Sequence, residues 1–218
     1  RRTFRMIDPA SLRTLALRSD ITVQIGRIAA TGMAHAPRPL RLCYAGDVAF
    51  LSASQLDPAR QRLQMGAELI GTDSVAAASE IVSVAIDALA TAGVTNISVD
   101  FTLPDLVDAL AQDAMPLAPD QREAVRRELD TKDAGGLREA GGDAYLPLLY
   151  ATGDFATAID KLAALDAGGA LASRIEGLRT IAATIGERAR VTLDPTERHG
   201  FEYQSWFGFT LYGDGARG

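Results

Sequence analysis

Two polar residues, Gln64 and Glu68, lie four residues apart on a strand-like segment, with Gly66 between them. Successive side chains of a strand point to opposite faces, so these three residues share one face, and four strand residues span about 13 Å. That span is close to the length of a small amino acid, about 6 Å, with a hydrogen bond of about 2.9 Å at each end. The glycine leaves the space between the two polar groups open. The pattern predicts a site for a free amino acid, although a solvent-facing strand would alternate in the same way.

Asp20 and Thr22 stand where a strand candidate at 12–18 gives way to a helix that continues to about residue 31. A carboxylate beside a hydroxyl can bind an ammonium group through a charge-assisted hydrogen bond worth about 1.5–3 kcal/mol. Asp20 is also a good N-cap for the helix, and capping is a sufficient explanation for it when the pair is taken by itself. The pair predicts either an ammonium contact or a helix cap.

Glu202 and Tyr203 lie in the aromatic segment 200–212, which we expect to form the last strand. Alternation sends their side chains to opposite faces, so only one of them can point fully into a given pocket. A tyrosine hydroxyl can exchange a hydrogen bond with a ring nitrogen of a ligand. His199 precedes the pair, but without a serine or cysteine nucleophile motif it is a weak candidate for a catalytic base. We therefore predict that Glu202 and Tyr203 bind a ligand and that the chain has no catalytic residue. Two histidines and one cysteine are also too few for a typical metal site, and no cofactor is expected.

Composition narrows the classes of protein and of partner. The 218 residues are 47% hydrophobic and 23% charged, which is typical of a soluble globular protein. The single cysteine, Cys43, excludes an internal disulfide and is consistent with a reducing cytoplasm. The net charge of −6 argues against nucleic acid as the main partner. Because no apolar run approaches the roughly 20 residues that span a bilayer, we expect no membrane contact either.

The elements that must position these residues predict an α+β fold, with a largely antiparallel sheet flanked by helices and a helical insertion. The insertion is expected where the composition becomes rich in alanine, leucine and paired glycines. The predicted division is 1–103 for the first part of the core, 104–189 for the insertion and 190–218 for the return of the sheet. Strands are expected at 12–18, 40–45, 62–70, 96–101, 190–194 and 200–212, and a long helix at 73–92. The chain starts without a methionine and its ends lie close to strands, so we expect the interior of a longer protein.

Four sequence blocks, in order, resemble the histidyl-tRNA synthetase branch of the class II synthetase fold: LRSDIT, RPLRLCYAGDV, RLQMGAELIG and TLDPTERHGFEYQSWFGFTLY. Within that branch the chain is most similar to the regulatory subunits of ATP phosphoribosyltransferase. The resemblance covers residues 1–103 and 190–212, whereas the middle matches only in position and helical character. It implies a class II synthetase-like fold with a pocket for free histidine.

The resemblance assigns six positions to that pocket. They are Asp20 and Thr22 for the ammonium group, Gln64 near the carboxylate, Glu68 for the imidazole, and Glu202 with Tyr203 beside the ring. The chain departs from the synthetase pattern at Gln204, where synthetases carry a second tyrosine, and at His199, where they carry an arginine. These departures weaken one ring contact and any activation of the carboxylate.

A third departure bears on catalysis. Synthetases place an arginine after the YxG motif to hold the α-phosphate of ATP, but this chain has Phe50 at that position and Asp47 nearby. Neither side chain replaces a cation against phosphate. The resemblance thus implies a non-catalytic regulatory subunit that assembles, as a homodimer within a hetero-oligomer, with a catalytic ATP phosphoribosyltransferase subunit. That complex condenses ATP with phosphoribosyl pyrophosphate in histidine biosynthesis, with histidine as its feedback inhibitor.

Two alternatives stay open at this point. The first is a catalytic-core fragment of a histidyl-tRNA synthetase, which would support histidine-dependent pyrophosphate exchange. The second is a scaffold that the catalytic subunit needs for activity but whose own pocket no longer binds histidine.

Overall fold

The computed structural model describes residues 3–51, 58–112, 114–198, 200 and 204–215. The chain divides into two compact units, residues 1–77 and 78–218. The first unit contains β1 (Arg5–Ile7), β2 (Thr14–Ala16), α1 (Thr22–Ala30), β3 (Leu40–Ala49) and β4 (Gln61–Ile70). Helix α2 (Val75–Thr91) starts at the end of this unit.

The second unit combines a sheet with a run of helices. Its elements are β5 (Thr95–Thr102), α3 (Leu106–Gln112), α4 (Pro119–Asp130), α5 (Ala134–Glu139), a 3₁₀ helix (Asp143–Tyr150), β6 (Gly153–Asp154), α6 (Phe155–Leu165), α7 (Ala172–Ile185), a 3₁₀ turn (Gly186–Arg188), β7 (Arg190–Leu193) and β8 (Gly208–Asp214). Within the described ranges, none of the helices combines the length and hydrophobicity that a bilayer-crossing helix needs.

The pairing of the strands confirms the α+β class. β1 pairs with β2 and β3 pairs with β4, both antiparallel, while the four-stranded sheet has the order β6-β7-β5-β8. In that sheet β5 is parallel to β7 and antiparallel to β8. Helices α3 to α7 fall between β5 and β7, but the division at residues 103 and 189 stays a prediction.

The alternation of β4 is confirmed, and its polar face is the more buried one. Leu63 and Met65 are 66% and 73% exposed, whereas Gln64, Gly66 and Glu68 are half-buried. Gln64 and Glu68 are therefore partly shielded from solvent, and their assignment to a site stays a prediction. A half-buried polar face needs hydrogen-bond partners, because an unpaired polar group shielded from water is costly.

Three strand boundaries differ from the predictions, each for a local reason. β2 is shorter than 12–18 because Leu12 has a left-handed backbone, with φ 56°. Among the described residues, the last strand starts at Gly208, because Trp206 just before it has a left-handed backbone, with φ 76°. β3 continues past Gly46, which pairs with Gln64 in the ladder.

Gly46 lies within β3, where the side chains of Arg18 and Ile21 come close to its backbone, and it does not end the strand. A Cβ at this position would lie 3.3 Å from Ile21 Cδ1 and would overlap the guanidinium of Arg18. Arg18 is held there because its Nε donates to Asp47 O at 2.8 Å and its Nη1 donates to Gln24 Oε1 at 3.0 Å. The glycine thus lets α1 and the segment before it lie against the β3–β4 hairpin.

Candidate functional site

The side chain of Gln64 joins β4 to the start of α1. Its Oε1 accepts a hydrogen bond from the backbone N–H of Ile21 at 2.9 Å, and its Nε2 donates to Asp20 Oδ1 at 3.1 Å. Ile21 is only 4% exposed, so these bonds lie at the edge of the core. A side-chain amide carries two donor hydrogens, so Gln64 can still donate to the carboxylate of a ligand.

Asp20 is not the N-cap of α1, so the capping prediction is wrong, but its carboxylate bonds the first residue of the helix. Its Oδ1 accepts from the backbone N–H of Thr22 at 3.0 Å, while Ile21 occupies the N-cap position without a side-chain cap. The same oxygen therefore serves both the helix start and Gln64. This arrangement holds the carboxylate beside Thr22, as the ammonium-binding interpretation requires.

Tyr44 is the residue of this cluster that sequence reasoning missed. The antiparallel register places it directly opposite Gly66, on the same face of the hairpin. Its hydroxyl lies 3.0 Å from Thr22 Oγ1, within hydrogen-bond distance. Tyr44 thus connects β3 to Thr22 at the start of α1.

The expectation of an open space over Gly66 is wrong. A Cβ at Gly66 would lie 2.9 Å from Tyr44 Cε1 and closer still to Cζ and the hydroxyl oxygen. The space that the glycine provides is taken by the tyrosine ring, because residues paired across an antiparallel ladder have side chains on the same face. Any ligand between Gln64 and Glu68 must lie on the tyrosine and not on the bare strand.

The electrostatics of the cluster keep Tyr44 protonated. Partial burial is the largest cause of the raised pKa of Tyr44, and the carboxylates of Glu68 and Asp20 raise it further, while the hydrogen bond with Thr22 lowers it. A pKa above the ordinary value of 10.0 leaves the hydroxyl as a donor at neutral pH. A set of two carboxylates, one amide and two hydroxyls can recognise a cationic amino group.

Phe50 and Arg62 lie at the far end of the same hairpin. The backbone N–H of Phe50 donates to Arg60 O at 2.8 Å, which extends the pairing beyond β3. The guanidinium carbon of Arg62 lies 4.9 Å from the centre of the Phe50 ring, within the range of a cation–π contact. The guanidinium of Arg62, on β4, therefore lies next to Phe50, the position where synthetases carry an arginine. The sequence analysis considered position 50 alone and did not predict this neighbouring cation.

The structure joins three of the six predicted positions, Asp20, Thr22 and Gln64, in one hydrogen-bonded network with Tyr44. Glu68 lies on the same half-buried face of β4 as Gln64. Glu202 and Tyr203 lie outside the described residues, as does His199. Assignment of the network to a ligand stays a prediction.

Comparison with known proteins extends over the whole chain. Residues 1–218 match the model of a family described as histidyl-tRNA synthetase. A relative in Rhodospirillum rubrum is 42% identical over 99% of this chain, and one in Paramagnetospirillum magneticum is 40% identical over 96%. Both are named ATP phosphoribosyltransferase regulatory subunit, and the chain spans 58% and 57% of their respective lengths.

Solved structures show the same fold. One from Bacillus halodurans C, described as an ATP phosphoribosyltransferase regulatory subunit/histidyl-tRNA synthetase, has a TM-score of 0.81 and 26% identity over 97% of this chain and 57% of its own. The ATP phosphoribosyl transferase complex from Thermotoga maritima matches with a TM-score of 0.73 and 16% identity, over 96% of this chain and 75% of that one. These matches confirm the predicted resemblance and the class II synthetase-like fold.

Proposed function

Because the chain belongs to the histidyl-tRNA synthetase family, we propose that it functions as a regulatory subunit of ATP phosphoribosyltransferase and binds free histidine through the network around Tyr44. The observation that carries this proposal is the bridge from Gln64 to Asp20, which places an amide and a carboxylate together on the half-buried face of the hairpin. The names of the relatives support the regulatory function.

The polar groups of the network match the functional groups of histidine. Asp20 and Thr22 bind the ammonium group, and the second amide hydrogen of Gln64 donates to the carboxylate. Glu68 accepts a hydrogen bond from the imidazole N–H. The assignment of Glu202 and Tyr203 to the ring stays a prediction from the resemblance, because both lie outside the described residues.

The proposed protein has no synthetase activity of its own. Adenylate formation requires a cation that stabilises charge on the α-phosphate as it develops. Phe50 stands at the position of that cation, and the guanidinium of Arg62 lies over the Phe50 ring. The proposal of a binding protein therefore rests on the absence of an arginine at position 50, where the synthetase pattern has one.

Regulation follows from differential binding. Histidine inhibits a complex with a catalytic subunit only if it binds one state of that complex more tightly than another, and such coupling is typically about 1–3 kcal/mol, or about 5- to 150-fold. We propose that the subunit works as a homodimer within that hetero-oligomer in the cytoplasm, without a nucleic-acid or membrane partner.

Calorimetry with histidine on the full chain and on Glu68→Ala tests the proposal. Loss of a charge-assisted hydrogen bond should weaken binding about tenfold or more. Glu176→Ala, at an exposed position of α7, is the matched control and should bind like the unaltered chain. Equal affinity in the Glu68 variant would remove Glu68 from the site.

Assays of the complex separate the proposal from its two rivals. With the catalytic subunit present, Glu68→Ala should leave phosphoribosyl transfer intact but raise the histidine concentration that inhibits it. Activation of the catalytic subunit without histidine binding to this chain would indicate a scaffold with a vestigial pocket. Histidine-dependent pyrophosphate exchange would indicate a synthetase.

A further inference from the structure

The end of α4, one of the helices between β5 and β7, contacts the segment 194–198 that follows β7. Asp130 Oδ1 accepts a hydrogen bond from the backbone N–H of Arg198 at 2.7 Å. Lys132 Nζ donates to Asp194 Oδ1 at 2.8 Å. The first and the last residue of the segment are therefore both tied to the end of one helix.

The four-stranded sheet holds the same segment. The backbone N–H of Asp194 donates to Phe101 O at 2.9 Å, and Thr102 Oγ1 donates to Glu197 O. Phe101 and Thr102 are the last two residues of β5 and are both buried. The segment is thus hydrogen-bonded to β5 as well as to the end of α4.

Neither Asp130 nor Lys132 is favoured at its position by α4 alone. Asp130 is the last residue of α4, where the partial negative charge of a helix C-terminus disfavours a carboxylate. Lys132, two residues beyond, has a left-handed backbone with φ 59°, a conformation that glycine or asparagine usually supplies after a helix. The contacts with the segment 194–198 explain why these two residue types are found here.

We infer that Asp130 and Lys132 are positioning residues for the ring end of the proposed histidine site, an inference that rests on the proposed function. Arg198 precedes Glu202 by four residues in the chain, and four residues span at most about 14 Å. Anchoring Arg198 to α4 thus limits the positions that Glu202 and Tyr203 can reach. Because folding has already ordered the approach to these residues, ligand binding does not have to order it, and the affinity for histidine is higher.

Calorimetry with histidine on the full chain, on Asp130→Ala and on Asp130→Asn tests the inference. Loss of the acceptor in Asp130→Ala should weaken histidine binding about fivefold or more. Asp130→Asn keeps an oxygen that can accept from the Arg198 N–H and should bind within about twofold of the unaltered chain. Asp120→Ala, at an exposed position in the first turn of the same helix, is the matched control and should bind like the unaltered chain. Equal affinity of Asp130→Ala and the unaltered chain would overturn the inference.

A double-mutant cycle separates positioning from a general loss of stability. If Asp130 acts through the residues beside the ligand ring, Asp130→Ala should cost little further affinity in a Glu202→Ala background. Additive losses would place the effect elsewhere and overturn the inference.

Lys132→Met removes the other anchor and provides an independent variant, which should weaken histidine binding in the same direction. Thermal unfolding of each variant checks that the fold is retained. Histidine binding that neither Asp130→Ala nor Lys132→Met alters would overturn the inference alone. Absence of histidine binding to the unaltered chain would instead overturn the proposed function, and the positioning inference with it.

Discussion

Tyr44 and Gly66 face each other across the β3–β4 hairpin, and the tyrosine ring occupies the space where a side chain at position 66 would lie. The packing of the Tyr44 ring explains why position 66 is a glycine, and no ligand is needed to account for it. It also brings the tyrosine hydroxyl within 3.0 Å of Thr22 Oγ1. The packing of the hairpin and the arrangement of the candidate site thus depend on the same pair of residues.

Gly66→Ala should destabilise the protein by about 1–3 kcal/mol, because the added methyl group overlaps a ring that has a hydrogen-bonded hydroxyl. Gly26→Ala is the matched control. An added Cβ there has no neighbour within 4 Å, and alanine in a helix is expected to stabilise by about 0.5–1 kcal/mol. Urea unfolding of both variants measures the difference.

The origin of that cost can be checked by rescue. Removal of the ring with Tyr44→Ala should make the Gly66→Ala change nearly neutral, since the overlapping atoms are gone. A cost that persists in the Tyr44→Ala background would place the strain in the backbone of β4.

Residue periodicity was sufficient to predict much of the framework. The alternation in β4 and the length of α2 follow from apolar spacing, and Gly93, with φ 83°, lies just past the end of that helix. By contrast, the left-handed residues Leu12 and Trp206 carry no sequence signal, because leucine and tryptophan rarely adopt positive φ. The strand ends at these positions could not be predicted.

The site was only partly predictable for a different reason. Gln64 and Glu68 lie on one strand, so their shared face follows from spacing within the strand. Tyr44 lies on the partner strand, and its position over Gly66 depends on the register between β3 and β4. Aligning the two strands about the loop that joins them could have suggested the pair, whereas the contact of Arg62 with Phe50 depends on side-chain conformation.

Gln64→Leu should destabilise the protein by about 1–3 kcal/mol, because it leaves the shielded backbone N–H of Ile21 without its acceptor. It should also weaken histidine binding, since Asp20 loses the donor that helps to orient it. Gln61→Leu, at an exposed position of the same strand, is the control and should do neither. Unfolding and calorimetry on the two variants check the two effects separately.

Lys132 anchors the segment that follows β7. Its Nζ donates to Asp194 Oδ1 at 2.8 Å and to Thr196 Oγ1. Lys132→Met keeps most of the apolar stem and removes the charge, and it should lower the free energy of unfolding by about 1 kcal/mol. Lys161→Met, which removes only a 3.2 Å contact with Tyr150 O, should cost less. Equal losses would show that the Asp194 contact contributes nothing specific.

Asp100 should make the stability of the protein depend on pH in the acidic range. Burial raises the pKa of Asp100 above its ordinary value of 3.8, the bond from Thr192 lowers it, and Asp194 raises it while Lys132 lowers it. The folded state therefore binds a proton more tightly than the unfolded state, so stability falls as pH rises from 3.8 through the folded pKa.

Asp100→Asn removes this dependence and keeps an oxygen that can accept from Thr192. The variant should gain stability relative to the unaltered chain across that window, whereas Asp73→Asn, at an exposed position, should show no such trend. Thermal unfolding at a series of pH values measures both, and parallel curves for Asp100→Asn and the unaltered chain would contradict the prediction.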